Sequence, residues 1–201
     1  MRELFQQYFN IAFLMGKPQD LPAGDTQLRI GVAFAAVTYI SALMVPYGLG
    51  RALFQASVDL VSTGVVLFMA LALLSRKARF SQAFGGLCGA SAFVNLAALP
   101  LYAMRSQQPE ITGDSIAAMA DFVLLVWGLS LLAHIVRHTF EVPMVVSVLI
   151  SFIYFILLAS VIAAIVPAPA MAETGMADAL MLSGFSSLIT FDGIDVRLTM
   201  I

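Results

Sequence analysis

SVDLVSTGVVLFMALALLSRKAR, Ser57 to Arg79, is the stretch that decides the fold. After Asp59 it carries no charge until Arg76, and then Arg76, Lys77 and Arg79 arrive together. An apolar run of this length approaches the roughly 20 residues that cross a hydrocarbon core as a helix. The basic cluster is the anchor expected at a membrane surface. Four more long apolar segments lie around it, at about Leu28–Val45, Phe80–Met104, Ile116–Val136 and Val142–Val166. Pro46, Pro100, Pro143 and Pro167 mark ends. Helices are required, because unpaired backbone groups are costly in lipid. The fold class expected is all-α: a polytopic bundle of five transmembrane helices. Tyr47 to Ala56 is a short connection in this reading, which leaves open a re-entrant pair for the first two segments.

Composition supports a bilayer environment. The chain has 201 residues, 61% hydrophobic and 11% charged, and a mean hydropathy of +0.96. A soluble domain carries about 25% charged residues. A net charge of -2 gives no basic balance for nucleic acid, so no nucleic-acid partner is expected. Cys88, the one cysteine, sits in an apolar segment and reads as a buried thiol.

The N-terminus, MRELFQQYFNIAFLMG, has no uninterrupted apolar core of the kind a cleavable leader needs. Leu4, Phe5, Tyr8, Phe9, Ala12 and Phe13 fall on one helical face, with Arg2, Glu3, Gln6, Gln7 and Asn10 opposite. This predicts an interfacial amphipathic helix over 1–15, or one packed on a partner or on the bundle itself. Residues 16–27, with two prolines and two glycines between Gly16 and Asp25, read as a linker. The transmembrane domain then covers 28–166. The tail, 167–201, is expected to hold a short helix and an extended end that docks on this protein or another. Its Met171, Met176 and Met181 do not share a helical face, which disfavours a copper array.

Alternating the flanks assigns Arg2, Lys17, Arg29, Arg76, Lys77, Arg79 and Arg137 to one side and Arg51, Arg105 and Arg197 to the other. The excess places the N-terminus in the cytoplasm, with Arg76, Lys77, Arg79 and Arg137 as anchors, and the tail on the opposite, periplasmic side. A bacterial inner membrane suits this layout.

Charged or polar groups inside spans are the candidate site. Asp59, Asn95 and Asp121 fall toward the non-cytoplasmic half and are expected at similar depth. They form a proton or cation site, or else an interfacial carboxylate and helix-helix hydrogen bonds; Asp59 in particular reads as an early-turn residue favoured by the helix dipole. His134 and His138 share a helical face and read as anchors beside Arg137 rather than as a metal pair. Gly85, Gly86, Gly89 and Ala90 give overlapping GxxxG and GxxxA steps, which let two helix backbones approach, within the bundle or between protomers. Trp127 lies in mid-span and reads as packing. No hydrolase elbow, zinc-protease, CxxC or phosphate-loop motif is present, so no catalytic residue, cofactor or metal is expected.

FSQAFGGLCGASAFVNLAALPLYAM, Phe80–Met104, and FVLLVWGLSLLAHIVRHTFEVPMVVSVLISFIYF, Phe122–Phe155, resemble the Yip1 family of five-span membrane proteins. Arg137 and His138 occupy the basic turn that closes the fourth helix in that family. The resemblance spans about Gln27 to Pro167 and implies no catalytic residues. The long polar N-terminal arm of eukaryotic members is missing, and a C-terminal tail is added. The expected function is a non-enzymatic scaffold or accessory subunit, associating with itself or with other membrane subunits. The alternative is a small proton, cation or solute transporter or channel using Asp59, Asn95 and Asp121.

Overall fold

The computed structural model describes residues 1–107 and 115–165, and the side chains of 1–104 and 118–162. The tail from Pro167 onward and the side chain of Arg105 lie outside these. The described residues form six α-helices and no strand: α1 Arg2–Ala12, α2 Asp25–Tyr47, α3 Leu49–Leu73, α4 Phe80–Gln107, α5 Ser115–Phe140 and α6 Met144–Ile165. Single 3-10 turns occupy Pro18–Asp20 and Lys77–Arg79. Helices α2 to α6 are each long and apolar enough to cross a membrane. The protein is a polytopic, all-α membrane protein.

One boundary differs in a way that matters. Pro46 does not stop the first span, because a proline in the last turn removes only one terminal hydrogen bond. Helix α2 continues to Tyr47, and Gly48 alone, at φ 76, reverses the chain. Helix α3 therefore starts at Leu49 and absorbs Arg51 to Ala56. The two segments are full-length helices, not a re-entrant pair. The turns after α1, α3 and α5 share another device. Leu14, Ser75 and Glu141 take left-handed φ of 63, 57 and 58°. The following amides reach back to Asn10, Leu71 and Arg137 carbonyls, the Schellman closure usually given to glycine.

Helices α2 and α4 pack most extensively. A methyl group on Gly31 would lie 2.5 Å from the Gly85 carbonyl oxygen, so the two backbones are in contact there. Helix α5 packs on α4 and α6 on α5, while α3 lies against α2 and meets α6. The turns joining α3 to α4 and α5 to α6 come together at one end, where Arg76 and Arg79 both bind Glu141, at 2.9 and 2.6 Å. This is called the basic end below.

Helix α1 packs on the bundle itself. Tyr8, Ile11 and Ala12 are buried against Ala90, Leu131 and Ile135. The small residues of α4 make that possible. A Cβ on Gly89 would overlap the Tyr8 ring, one on Gly86 would meet Leu21 at 3.0 Å, and one on Gly85 would meet Gln27 at 2.5 Å. The close approach expected from the glycines is thus filled by the chain's own N-terminal segment and α2. The Tyr8 hydroxyl donates to the Gln27 carbonyl at 2.6 Å, and Gln27 Nε2 donates to the Ser81 carbonyl at 2.5 Å. Burial pushes the Tyr8 phenol up to about 12. Phe5, Phe9 and Phe13 line the half-exposed edge of α1 and pack on Phe34, Phe93 and Trp127 respectively.

Candidate intramembrane polar site

The extension of α3 changes the position of Asp59. It is not an early-turn residue but lies about three turns inside the helix. The dipole of a helix N-terminus fades within the first turn, so it does not stabilise a charge there. From the basic end, a rise of about 1.5 Å per residue puts Asp59 near 21 Å and Asn95 of α4 near 22 Å, with Asp121 of α5 about 28 Å away. Asp59 and Asn95 therefore share a layer, yet no hydrogen bond joins them among the described residues. Asp121 lies further out, on a helix that packs on α4 and α6. Counted this way, Asp121 sits about one turn further from the basic end than Asp59 and Asn95.

What gathers around Asp59 is a different set. Arg51, Gln55, Asp59 and Thr63 recur every four residues and so form one stripe on α3. Gln55 is buried, and the other three are half-buried. Thr63 Oγ1 donates loosely to Asp59 Oδ1 at 3.4 Å. The same oxygen lies 2.6 Å from the Tyr154 hydroxyl of α6. Since Thr63 has one proton to give, Tyr154 is the donor in that pair when Thr63 serves a carboxylate. Tyr39 of α2 faces both Gln55 and Asp59. At the outer end, the Arg51 guanidinium stacks over the Tyr47 ring at 4.8 Å. No basic side chain forms an ion pair with Asp59 among the described residues.

The stripe was only half visible in sequence. Arg51 and Gln55 lie in a polar stretch after Pro46 that reads as a connection, which hides their helical spacing to Asp59 and Thr63. Tyr39 and Tyr154 carried no signal, because tyrosine in a span is ordinarily packing.

The remaining candidates hold the fold together. His134 Nε2 lies 2.7 Å from the Gly16 carbonyl, and its ring meets His138 edge-on. Trp127 Nε1 donates to the Ala12 carbonyl at 2.7 Å, and Gln19 Nε2 donates to that of His138. These bonds pin the segment from Ala12 to Gln19 along α5. Among the described residues no three His, Cys, Asp or Glu side chains gather as a metal site would need. Cys88 is buried. Arg137 is exposed and lines an open depression with Lys17, Asp20 and Glu141. Burial is absent at Glu141, and the hydrogen bonds from Arg79 and then Arg76 hold its carboxyl below the usual range.

Comparison with protein-family models, with curated proteins and with solved structures finds no match. The Yip1-like resemblance therefore rests on the quoted stretches alone.

Proposed function

We propose that the protein is a small ion-handling membrane protein in which Asp59 takes up and releases a proton or a small monovalent cation. One observation carries this reading: a carboxyl at mid-span, without a basic partner among the described residues, held among hydroxyl and amide groups. An isolated carboxylate in hydrocarbon is costly and must be neutralised, and an exchangeable cation does this reversibly. Arg51 does not serve, because eight residues of helix separate it from Asp59 by about 12 Å.

The basic end faces the cytoplasm in this reading. Its support is the gathering of Arg76, Lys77, Arg79, Arg137 and Lys17 there. Helix α1 then enters from that side and reaches Phe93 and Trp127, about 20 Å from the basic end, with the edges of Phe5, Phe9 and Phe13 toward the acyl chains. The scaffold or accessory reading keeps less support. The glycines of α4 are occupied internally, so they give no argument for a second protomer.

The test is flux in proteoliposomes, followed with an entrapped pH dye and with a cation indicator. Wild type should move one of the two, and Asp59→Asn should lower that rate by at least tenfold. Wild-type liposomes no leakier than empty ones, or an Asp59→Asn rate equal to wild type, would refute the proposal.

A further inference from the structure

The polar stripe on α3 ends at Thr63, but polar groups continue on α6. Ser147, Ser151 and Tyr154 are spaced i, i+4 and i+7, so they share one face of that helix. The face that meets Thr63 through Tyr154 therefore carries two further hydroxyls toward the basic end. Both serines are fully buried, at 0% exposure.

The two serines are not equivalent. Ser147 donates to the Met144 carbonyl on its own helix. Ser41, Ser57 and Ser160 close back on their own helices in the same way. That is the ordinary fate of a hydroxyl in a span. Ser151 Oγ does not do this and has no partner. On α3, Gln55 Nε2 is likewise buried, and the Tyr39 hydroxyl that faces it is not placed to close a hydrogen bond of ordinary geometry. A bare buried donor or acceptor is expensive in a bilayer, and water is the small group that satisfies both kinds. Successive members of each stripe are about 4.5–6 Å apart along the helix axis, a gap that one bridging water closes.

We propose that the protein conducts protons along this file: Gln55, Asp59 and Thr63 on α3 form its outer half, Tyr154 and Ser151 on α6 its inner half. The proposal rests on the reading of Asp59 above and names its ion. The joint between the halves is a direct hydroxyl-hydroxyl hydrogen bond of 2.6 Å. Such a bond passes a proton and leaves no gap for a hydrated cation. In one turnover the Asp59 carboxyl gives its proton to Thr63, Thr63 gives its own to Tyr154, and Tyr154 gives its own to water beside Ser151. The carboxylate left behind takes a proton from water at Gln55. One proton enters, one leaves, and no electron moves.

The experiment uses the full chain with Cys88→Ser and single cysteines at Ser151, Gln55 and Leu149, reconstituted in liposomes. Leu149 is on the apolar, 59% exposed side of α6 and is the hydrocarbon control. The probe is a small charged methanethiosulfonate, which needs a thiolate and hence water. Ser151→Cys should react at least tenfold faster than Leu149→Cys, from the basic end only, and Gln55→Cys from the other end only. Tyr154→Phe and Ser151→Ala, read by the pH dye in chains that fold as wild type, should each lower proton flux at least tenfold. A Ser151→Cys rate equal to Leu149→Cys, or wild-type flux in Tyr154→Phe, overturns the file. Cation movement without proton movement also overturns it but leaves the Asp59 reading standing. Wild-type flux in Asp59→Asn takes down both.

Discussion

Tyr8 shows how one side chain sets the position of a whole helix. Its ring fills the space that a Cβ on Gly89 would need, and its hydroxyl reaches the Gln27 carbonyl. Tyr8→Phe keeps the ring and loses the hydrogen bond, so it should lower stability by about 1 kcal/mol. Its larger signature is at alkaline pH. The phenol is raised from 10.0 to about 12 by burial, so folding disfavours the ionised form. The stabilisation is fully present below pH 10 and is lost as pH rises through about 12. Thermal unfolding in detergent should therefore show a smaller loss of melting temperature over that window in Tyr8→Phe than in wild type. Equal losses would mean that Tyr8 is not the group titrating. The amphipathic spacing around Tyr8 was legible in sequence. That its buried face meets α4 rather than another protein was not, because the alternation specifies a face and not its partner.

Elements are placed here by backbone approach more than by apolar burial, as expected where lipid is as apolar as the side chains. The contact of α2 with α4 is tightest at Gly31 and Gly85. A methyl on Gly31 would press on backbone, which has no rotamer to yield. Gly31→Ala should cost about 1–3 kcal/mol, read as a lower unfolding midpoint; a midpoint at the wild-type value would show that α2 and α4 are not held there. The overlapping glycine steps of α4 could be read from sequence, whereas Gly31 is a lone glycine and its role needed the fold. The turns behave in the opposite sense. Ser75 bears a left-handed conformation that costs an L-residue about 1–2 kcal/mol, partly offset by the greater chain entropy lost by glycine. Ser75→Gly should therefore raise stability, by about 0.5–1 kcal/mol. The hydrophobic pattern located all five spans because their length is dictated by the bilayer. It does not locate the α2–α3 corner, because Arg51 and Gln55 are polar residues on an otherwise apolar helix and polarity there mimics a loop.

At the scale of the molecule, α2 and α4 form the most buried pair, and α3 and α6 are the least buried spans. The polar file lies where those two outer helices meet, so its geometry depends on what ties their corners together. That tie is Glu141, which binds Arg76 and Arg79, both from the α3–α4 turn. Arg79 also donates to the Thr139 carbonyl. The carboxyl is held below its ordinary 4.5 by these guanidinium groups. The charge is therefore favoured in the folded state. Its contribution is present above pH 4.5 and is lost as pH falls through the lowered folded value. Glu141→Gln removes that contribution at neutral pH and should leave acid behaviour flatter. The two proteins should differ in melting temperature at pH 7, and the difference should close as pH is lowered below 4.5. Since all three side chains are solvent-accessible, the gap at pH 7 should also shrink in molar salt. A gap that persists at low pH would show that the effect does not come from the charge of Glu141, since the left-handed backbone is common to both proteins. If the tie also aligns the file, Glu141→Gln should lower proton flux at pH 7 while Ser151→Cys still reacts, because misalignment of Thr63 with Tyr154 interrupts transfer without drying the inner half.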